Sequence, residues 1–187
     1  MNGQTDVPAL RWGFVGTGGI ANAMANVVAT TPMAELRAVS SRRRTSADEF
    51  ADRFDVALRF DGWQAMLESD DIDAVYVATP TSVREEISIA AANTGKHVLA
   101  EKPFASSASV KRIIDACRKN DVAFMDGTHF VHHPRHHAIK NGMAELVGNP
   151  WSVASAFQFG LPNRGDIRYN AELEPMGAIG DAGWYNM

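Results

Sequence analysis

The sequence predicts an α/β fold, a doubly wound parallel sheet followed by the beginning of a second, α+β unit. Three observations carry this prediction. Short apolar runs of strand length alternate with helical patterns from Arg11 to Met125, a glycine-rich turn joins the first run to the first helix, and the alternation stops after Gly127. Alternation of this kind signals βαβ units, in which helices cover both faces of a parallel sheet.

Taken in order, Arg11 to Val15 reads as a strand, Ile20 to Ala29 as a helix, Glu35 to Ser40 as a strand and Ser46 to Phe54 as a helix. Ser46 and Glu49 have capping-box spacing at the start of that second helix. Phe60 to Glu68 reads as a short strand end and one helical turn around Trp63, and Asp70-Asp71 as a polar turn into the strand Ala74 to Ala78. Val83 to Thr94 follows as a helix, and Gly95 stands where a helix stop favours a residue tolerant of positive φ. His97 to Ala100, Ser109 to Asn120 and Val122 to Met125 complete the series as strand, helix and strand.

Gly16-Thr17-Gly18-Gly19-Ile20-Ala21 fits G-x-G-x-x-A, and its position between strand and helix matters more than its letters. The first glycine permits the tight turn, the second lets the backbone approach a pyrophosphate, and Ala21 keeps helix and strand close. The helix N-terminus then offers N–H donors and a favourable dipole to phosphates. Residues 1–127 are therefore expected to form a dinucleotide-binding Rossmann domain, with Gly16, Thr17, Gly18, Gly19 and Ile20 at the cofactor. An acidic residue at the end of the second strand would select NAD through the adenosine ribose. The stretch here is Ser40-Ser41-Arg42-Arg43-Arg44. Hydroxyl and guanidinium groups at Ser41 and Arg42 favour a 2′-phosphate, hence NADP over NAD.

Glu101-Lys102-Pro103 ends the fifth strand run, on the rim where open α/β sheets bind ligands. In company with the glycine loop, three blocks resemble the glucose-fructose oxidoreductase, inositol dehydrogenase and rhizopine catabolism family, usually called Gfo/Idh/MocA. They are Gly16 to Ala21, then Asp73 to Pro80 together with Gly95 to Pro103, and Gly177-Ala178-Ile179-Gly180-Asp181-Ala182-Gly183-Trp184-Tyr185. Met125 to Thr128 with His132, Pro134 and Arg135 looks most like the dihydrodiol dehydrogenase and plant oxidoreductase-like branch.

The resemblance implies a Rossmann domain joined to a C-terminal domain on a large open sheet. It also implies hydride transfer between a nicotinamide and a sugar-like or cyclic alcohol or carbonyl substrate. Lys102 corresponds to the family's catalytic lysine, and Asp181 and Tyr185 match the D-x-x-x-Y form of its last active-site motif. Their i, i+4 spacing would place both on one face of a helical turn, where a Lys102 ammonium near the Tyr185 phenol would favour phenolate. Thr79 and Pro80, at the end of the fourth strand, and Glu101 with Lys102 count among the cofactor contacts, while Thr81 is either a contact or part of a strand-ending turn. His132 or Arg135 would stand near substrate.

Five of the six histidines lie between His129 and His137. Pro134 is expected to begin a helix, which leaves the first member of each i, i+4 pair outside it. With no H-E-x-x-H pattern and no surrounding cysteine or carboxylate ligands, no metal site is expected. Residues 128–150 read as a connecting segment and helix, Pro134 to about Leu146. The alternating run Trp151 to Phe159 opens residues 151–187 as a strand of a different sheet. The residues after Pro150 are fewer than the roughly 40 that marginal domains need, so this substrate domain is expected to be incomplete. A truncated nucleotide-binding module without catalysis is the alternative reading.

The net charge of -4 carries no basic footprint for nucleic acid. No apolar stretch approaches the ~20 residues of a membrane span. A single cysteine, Cys117, excludes an internal disulfide framework and fits a reducing compartment. The expected setting is cytoplasmic, with a small-molecule substrate as partner and, from the family resemblance, a homo-oligomer for a full-length parent.

Overall fold

A computed structural model describes residues 8–161 and 163–186. Six parallel strands, β1 (Leu10–Val15), β2 (Ala34–Ser41), β3 (Leu58–Asp61), β4 (Ala74–Val77), β5 (His97–Ala100) and β6 (Phe124–Asp126), form one sheet in the order β3-β2-β1-β4-β5-β6. Helices α1 (Gly19–Ala29), α2 (Arg44–Phe54), α3 (Trp63–Leu67), α4 (Thr81–Asn93) and α5 (Ser107–Lys119) connect them. This is the Rossmann strand order. The winding reverses between β1 and β4, which pair directly from Trp12↔Ala74 to Val15↔Val77, and the crevice beyond their carboxyl ends is the expected ligand site.

Strand periodicity divides the core into two layers. Phe14, Val39, Tyr76 and Leu99 point to one side, against Ala21, Ala25 and Phe50 of α1 and α2. Val15, Val75, Val77, Val98 and Ala100 point to the other, against Ile87 of α4 and Ile113 of α5. All four residues of β4 are buried, as a strand covered on both faces requires. The Phe14 and Tyr76 rings meet edge to face, centroids 4.9 Å apart, a favoured aromatic geometry.

Within the sheet domain the elements fall close to where the apolar pattern places them; β6 runs Phe124–Asp126 where Val122 to Met125 is expected, and helices start early. α2 begins at Arg44, not Ser46, with Arg43 as an N-cap that makes no side-chain hydrogen bond. The Ser46/Glu49 box therefore does not form; Ser46 lies within the first turn, and Arg44 pairs with Asp48 one turn on. α5 starts two residues before Ser109 because the Ser106 hydroxyl accepts from the Ser109 N–H at 3.1 Å. Gly95, φ +76°, follows α4 as expected.

Beyond the sheet, a 3-10 turn (His129–His132) leads into α6 (Pro134–Val147), where Pro134 starts the helix and His133 caps it through the Arg135 N–H. Trp151 to Phe159 does not form the expected strand. A strand is completed by its partner's hydrogen bonds, and no described residue pairs with this run. Trp151 and Val153 stand exposed there. A further 3-10 turn (Ile167–Tyr169), α7 (Gly177–Asp181) and a last 3-10 turn (Gly183–Asn186) fold back toward the sheet rim.

Candidate active site

A cleft of about 1190 Å³ opens over the carboxyl ends of β1, β2, β4 and β5. Its floor is the glycine loop. Gly16 has φ +109°, and a Cβ there would stand 2.4 Å from the Ala78 carbonyl oxygen, so only glycine fits. Around Gly18 and Gly19 the corresponding space is open. Gly18 caps α1 without a side-chain bond, which leaves the first N–H groups of that helix facing the cleft. Asn22 braces the loop, its amide donating to the carbonyls of Thr17 (3.0 Å) and Gly18 (2.8 Å). A backbone cradle with room above it fits a pyrophosphate.

Ser41, Arg42 and Arg43 line one end of the cleft. Both arginines are exposed, and among the described residues neither makes an ion pair. Neighbouring Arg44 is committed to Asp48. The cationic groups nearest the end of β2 are thus free for an anionic ligand group, while Ser40 is buried with its hydroxyl toward the Phe14 carbonyl.

The opposite end is formed by the turns after β4 and β5. Thr79, Pro80, Glu101, Lys102, Asp181 and Tyr185 all line it. The Lys102 ammonium donates to the Asp181 carboxylate at 2.9 Å and to the Asp181 carbonyl at 3.0 Å. It also stands over the Tyr185 ring, 4.6 Å from the centroid. Arg168 pairs with the other carboxylate oxygen of Asp181. Burial alone would push the Asp181 carboxyl up; the hydrogen bonds from Lys102 and Arg168 outweigh it and hold the group below its ordinary range.

Asp181 and Tyr185 do not share one helical turn. α7 ends at Asp181 and a 3-10 turn carries Tyr185, yet both reach Lys102. Gly180 explains the close approach, since a Cβ there would stand 2.9 Å from the Pro103 ring. The last turn is anchored by the Trp184 indole N–H, which donates to the Thr128 hydroxyl at 2.8 Å. Phe157, Phe130 and His129 surround the Tyr185 ring.

Below Lys102, Glu101 is buried and accepts from the Tyr76 hydroxyl at 2.6 Å. Burial, reinforced by the Glu101 charge, pushes the Tyr76 phenol far above its ordinary range, so it acts as a fixed donor. Thr81 does not line the cleft; its N–H and hydroxyl donate to the Glu174 carboxylate at 3.2 and 2.6 Å. His132, at the end of the 3-10 turn, and Arg135, in the first turn of α6, are exposed and do not line the cleft.

Four participants escaped sequence reasoning: Tyr76, Arg84, whose guanidinium donates to the Thr79 and Pro103 carbonyls, Arg168 and Glu174. Tyr76 carried one signal, a hydroxyl within a fully apolar strand. Arg84 carried another, a charge at helical spacing from Ile87 and Ala91, both core residues. Arg168 sits in a single 3-10 turn and Glu174 in irregular chain, neither with an apolar periodicity to mark it.

A family model described as "Oxidoreductase family, NAD-binding Rossmann fold", GFO_IDH_MocA, matches residues 10–128. The chain belongs to this family. It is 34% identical over 188 residues to a dTDP-3,4-didehydro-2,6-dideoxy-alpha-D-glucose 3-reductase of Actinomadura kijaniata, covering 99% of this chain and 56% of that protein. The fold matches KijD10, a 3-ketoreductase from Actinomadura kijaniata in complex with NADP and TDP-benzene, with TM-score 0.84 and 34% identity over 88% of this chain and 51% of that one. It matches GenD2 from gentamicin A biosynthesis in complex with NAD with TM-score 0.87 and 27% identity, over 96% and 52% of the two chains. Trans-1,2-dihydrobenzene-1,2-diol dehydrogenases are relatives as well. The chain spans about half the length of the curated relatives it matches.

Proposed function

We propose that this chain carries the cofactor-binding and proton-handling half of an NADP(H)-dependent oxidoreductase acting on a hydroxyl or carbonyl of a sugar-like or cyclic substrate. One observation carries the reading: Lys102, ion-paired to Asp181 and seated over Tyr185, shares a single cleft with an open glycine cradle. The Gly16–Ile20 backbone would hold the pyrophosphate, Ser41 and Arg42 the 2′-phosphate, and Thr79 and Pro80 the nicotinamide end. When bound, the nicotinamide supplies or accepts the hydride.

The residues of the chain handle the proton. Two of the three N–H donors of Lys102 are engaged by Asp181, and the third is available to a substrate oxygen. In the reductive direction Lys102 gives that oxygen its proton, and Asp181 holds the ammonium in line. Such a positioned acid contributes on the order of 10² to 10⁴ in rate. The relatives' names, 3-reductases of deoxy-ketosugar nucleotides and a D-xylose 1-dehydrogenase (NADP(+)) of Haloferax volcanii, support a carbohydrate-like substrate and NADP. A free, buried Cys117 accords with a cytoplasmic setting.

Parallel titrations with NADPH and NADH, followed by nicotinamide fluorescence, test the cofactor. Tighter NADPH binding that Arg42→Ala weakens about 10- to 100-fold, with NADH little changed, is the expected result, since a charge-assisted phosphate contact contributes about 1.5–3 kcal/mol. Equal affinities would overturn it. NADPH oxidation by a panel of ketosugars then tests the reaction, and binding without oxidation by any of them would favour a nucleotide-binding module.

A further inference from the structure

Arg84 is 4% exposed and lies on the face of α4 that packs the core, one turn before Ile87 and two before Ala91. No carboxylate stands within ion-pair distance of its guanidinium among the described residues. Nη1 donates instead to the Pro103 carbonyl and, at 3.1 Å, to the Thr81 hydroxyl, and Nη2 donates to the Thr79 carbonyl. Nε is buried without a partner. Burying an ion is unfavourable by several kcal/mol even after relaxation, and the acids Glu174 and Glu101 offset this only through space.

An apolar side chain would fill the same volume without that penalty. A guanidinium differs in being a rigid, planar fork that can hold acceptors at a set spacing. Its acceptors here belong to two different strand ends. Thr79 follows β4 and begins the Thr79-Pro80 wall of the cleft; Pro103 directly follows Lys102 at the end of β5. No other hydrogen bond among the described side chains joins these two turns, apart from a long contact of the Thr81 hydroxyl with the Pro103 carbonyl at 3.4 Å.

We propose that Arg84 is a positioning residue for Lys102: by tying the Thr79 and Pro103 carbonyls to one fork, it sets where the lysine ammonium stands relative to the β4 side of the cleft. Its catalytic meaning rests on the oxidoreductase reading above, whereas the placement of Lys102 does not. Arg84 touches neither the Lys102 nitrogen nor its partner Asp181. It acts through the backbone that follows the lysine.

The test uses a second buried lysine as an internal reference. Lys96 lies just before β5, at its far end, is 9% exposed, and donates to the Ser69 carbonyl at 2.8 Å. Trace acetylation by acetic anhydride, read residue by residue by mass spectrometry, reports how well each lysine is held and needs no turnover. In Arg84→Met the Lys102-to-Lys96 labelling ratio is expected to rise about threefold or more, because only the rim loosens. Arg84→Lys, which keeps the charge but loses the fork, should also raise it. An unchanged ratio, or equal increases at both lysines as in general destabilisation, would overturn the proposal. Should Arg84→Met fail to fold, the ratio in Arg84→Lys decides by the same criterion. NADPH oxidation measured beside it separates the two readings: a raised ratio without turnover in the native chain would leave the positioning role standing and count against the oxidoreductase reading.

Discussion

The Lys102 ammonium faces the ring of Tyr185, 4.6 Å from its centroid, and donates hydrogen bonds to the carboxylate and carbonyl of Asp181. A cation over a ring face is held by the π electrons, which a phenylalanine ring also offers. The division of labour between the two residues can therefore be tested separately.

Tyr185→Phe keeps the cation–ring contact and removes only the hydroxyl. With Lys102 as the proton donor, this variant should lose about tenfold or less in turnover, whereas Lys102→Met should lose on the order of 10² to 10⁴. Affinity for NADPH should change little in either. Equal losses in the two variants would place the proton on the tyrosine.

Among the described residues, the carboxyls with lowered pKa values are Asp73, Glu85 and Asp181. Asp73 accepts a hydrogen bond from Arg11, and Glu85 one from Arg112; in Asp181 the two cationic donors override burial. A carboxyl lowered in the folded state stabilises the fold above its unfolded pKa, about 4, and ceases to do so as pH falls through the lower folded value. Thermal midpoints should thus be level from about pH 7 to 5 and fall below about pH 4. Asp73→Asn should be destabilised near neutral pH, and its deficit against the native chain should shrink in acid. A deficit that grew in acid would contradict this assignment.

Gly16 and Gly18 are two residues apart, yet substitution should affect different quantities. Gly16→Ala forces a Cβ to within 2.4 Å of the Ala78 carbonyl oxygen at positive φ, and overpacking with backbone strain should lower stability by about 1–3 kcal/mol. Gly18→Ala meets nothing within 4 Å, so the fold should tolerate it. Its methyl group would occupy the approach to the α1 N-terminus, and NADPH affinity should fall instead. Denaturant unfolding and cofactor titration of both variants would separate the effects; a stable Gly16→Ala would refute the steric reading.

Much of this architecture was legible because it depends on local periodicity. Phe14 and Val15, or Tyr76 and Val77, alternate between two apolar layers, and a chain with that pattern has few ways to bury both. The glycine loop and Lys102 were legible for a related reason, since strand ends place them on one rim. The contacts that complete the rim were not. Arg84 reads as a solvated charge unless its spacing from Ile87 is weighed above its polarity. Glu174 acts 93 residues away from Thr81, in irregular chain where periodicity carries no information. Trp151 to Phe159 shows the converse: the alternation is present in the sequence, but a strand requires a partner that no described residue supplies.

Glu174 itself makes the last prediction. α4 has Pro80 at its N-cap position and no side-chain cap of its own. The Glu174 carboxylate takes that role from a distant segment, accepting from the Thr81 N–H and hydroxyl, while the Leu173 carbonyl accepts from the Ser82 N–H at 3.1 Å. A carboxylate at a helix N-terminus also meets the favourable end of the dipole. Glu174→Ala should lower stability by about 1–2 kcal/mol, the usual consequence of losing an N-cap, or roughly 2–4 °C per kcal/mol in a chain of this size. Glu174→Gln offers one acceptor oxygen where two donors wait, and should fall between. Because the same contact pins Leu173 and Glu174 to the cleft wall, limited proteolysis of Glu174→Ala should cut the 163–176 segment sooner than in the native chain. Lower stability with native cleavage kinetics would leave the capping role intact and remove the docking one.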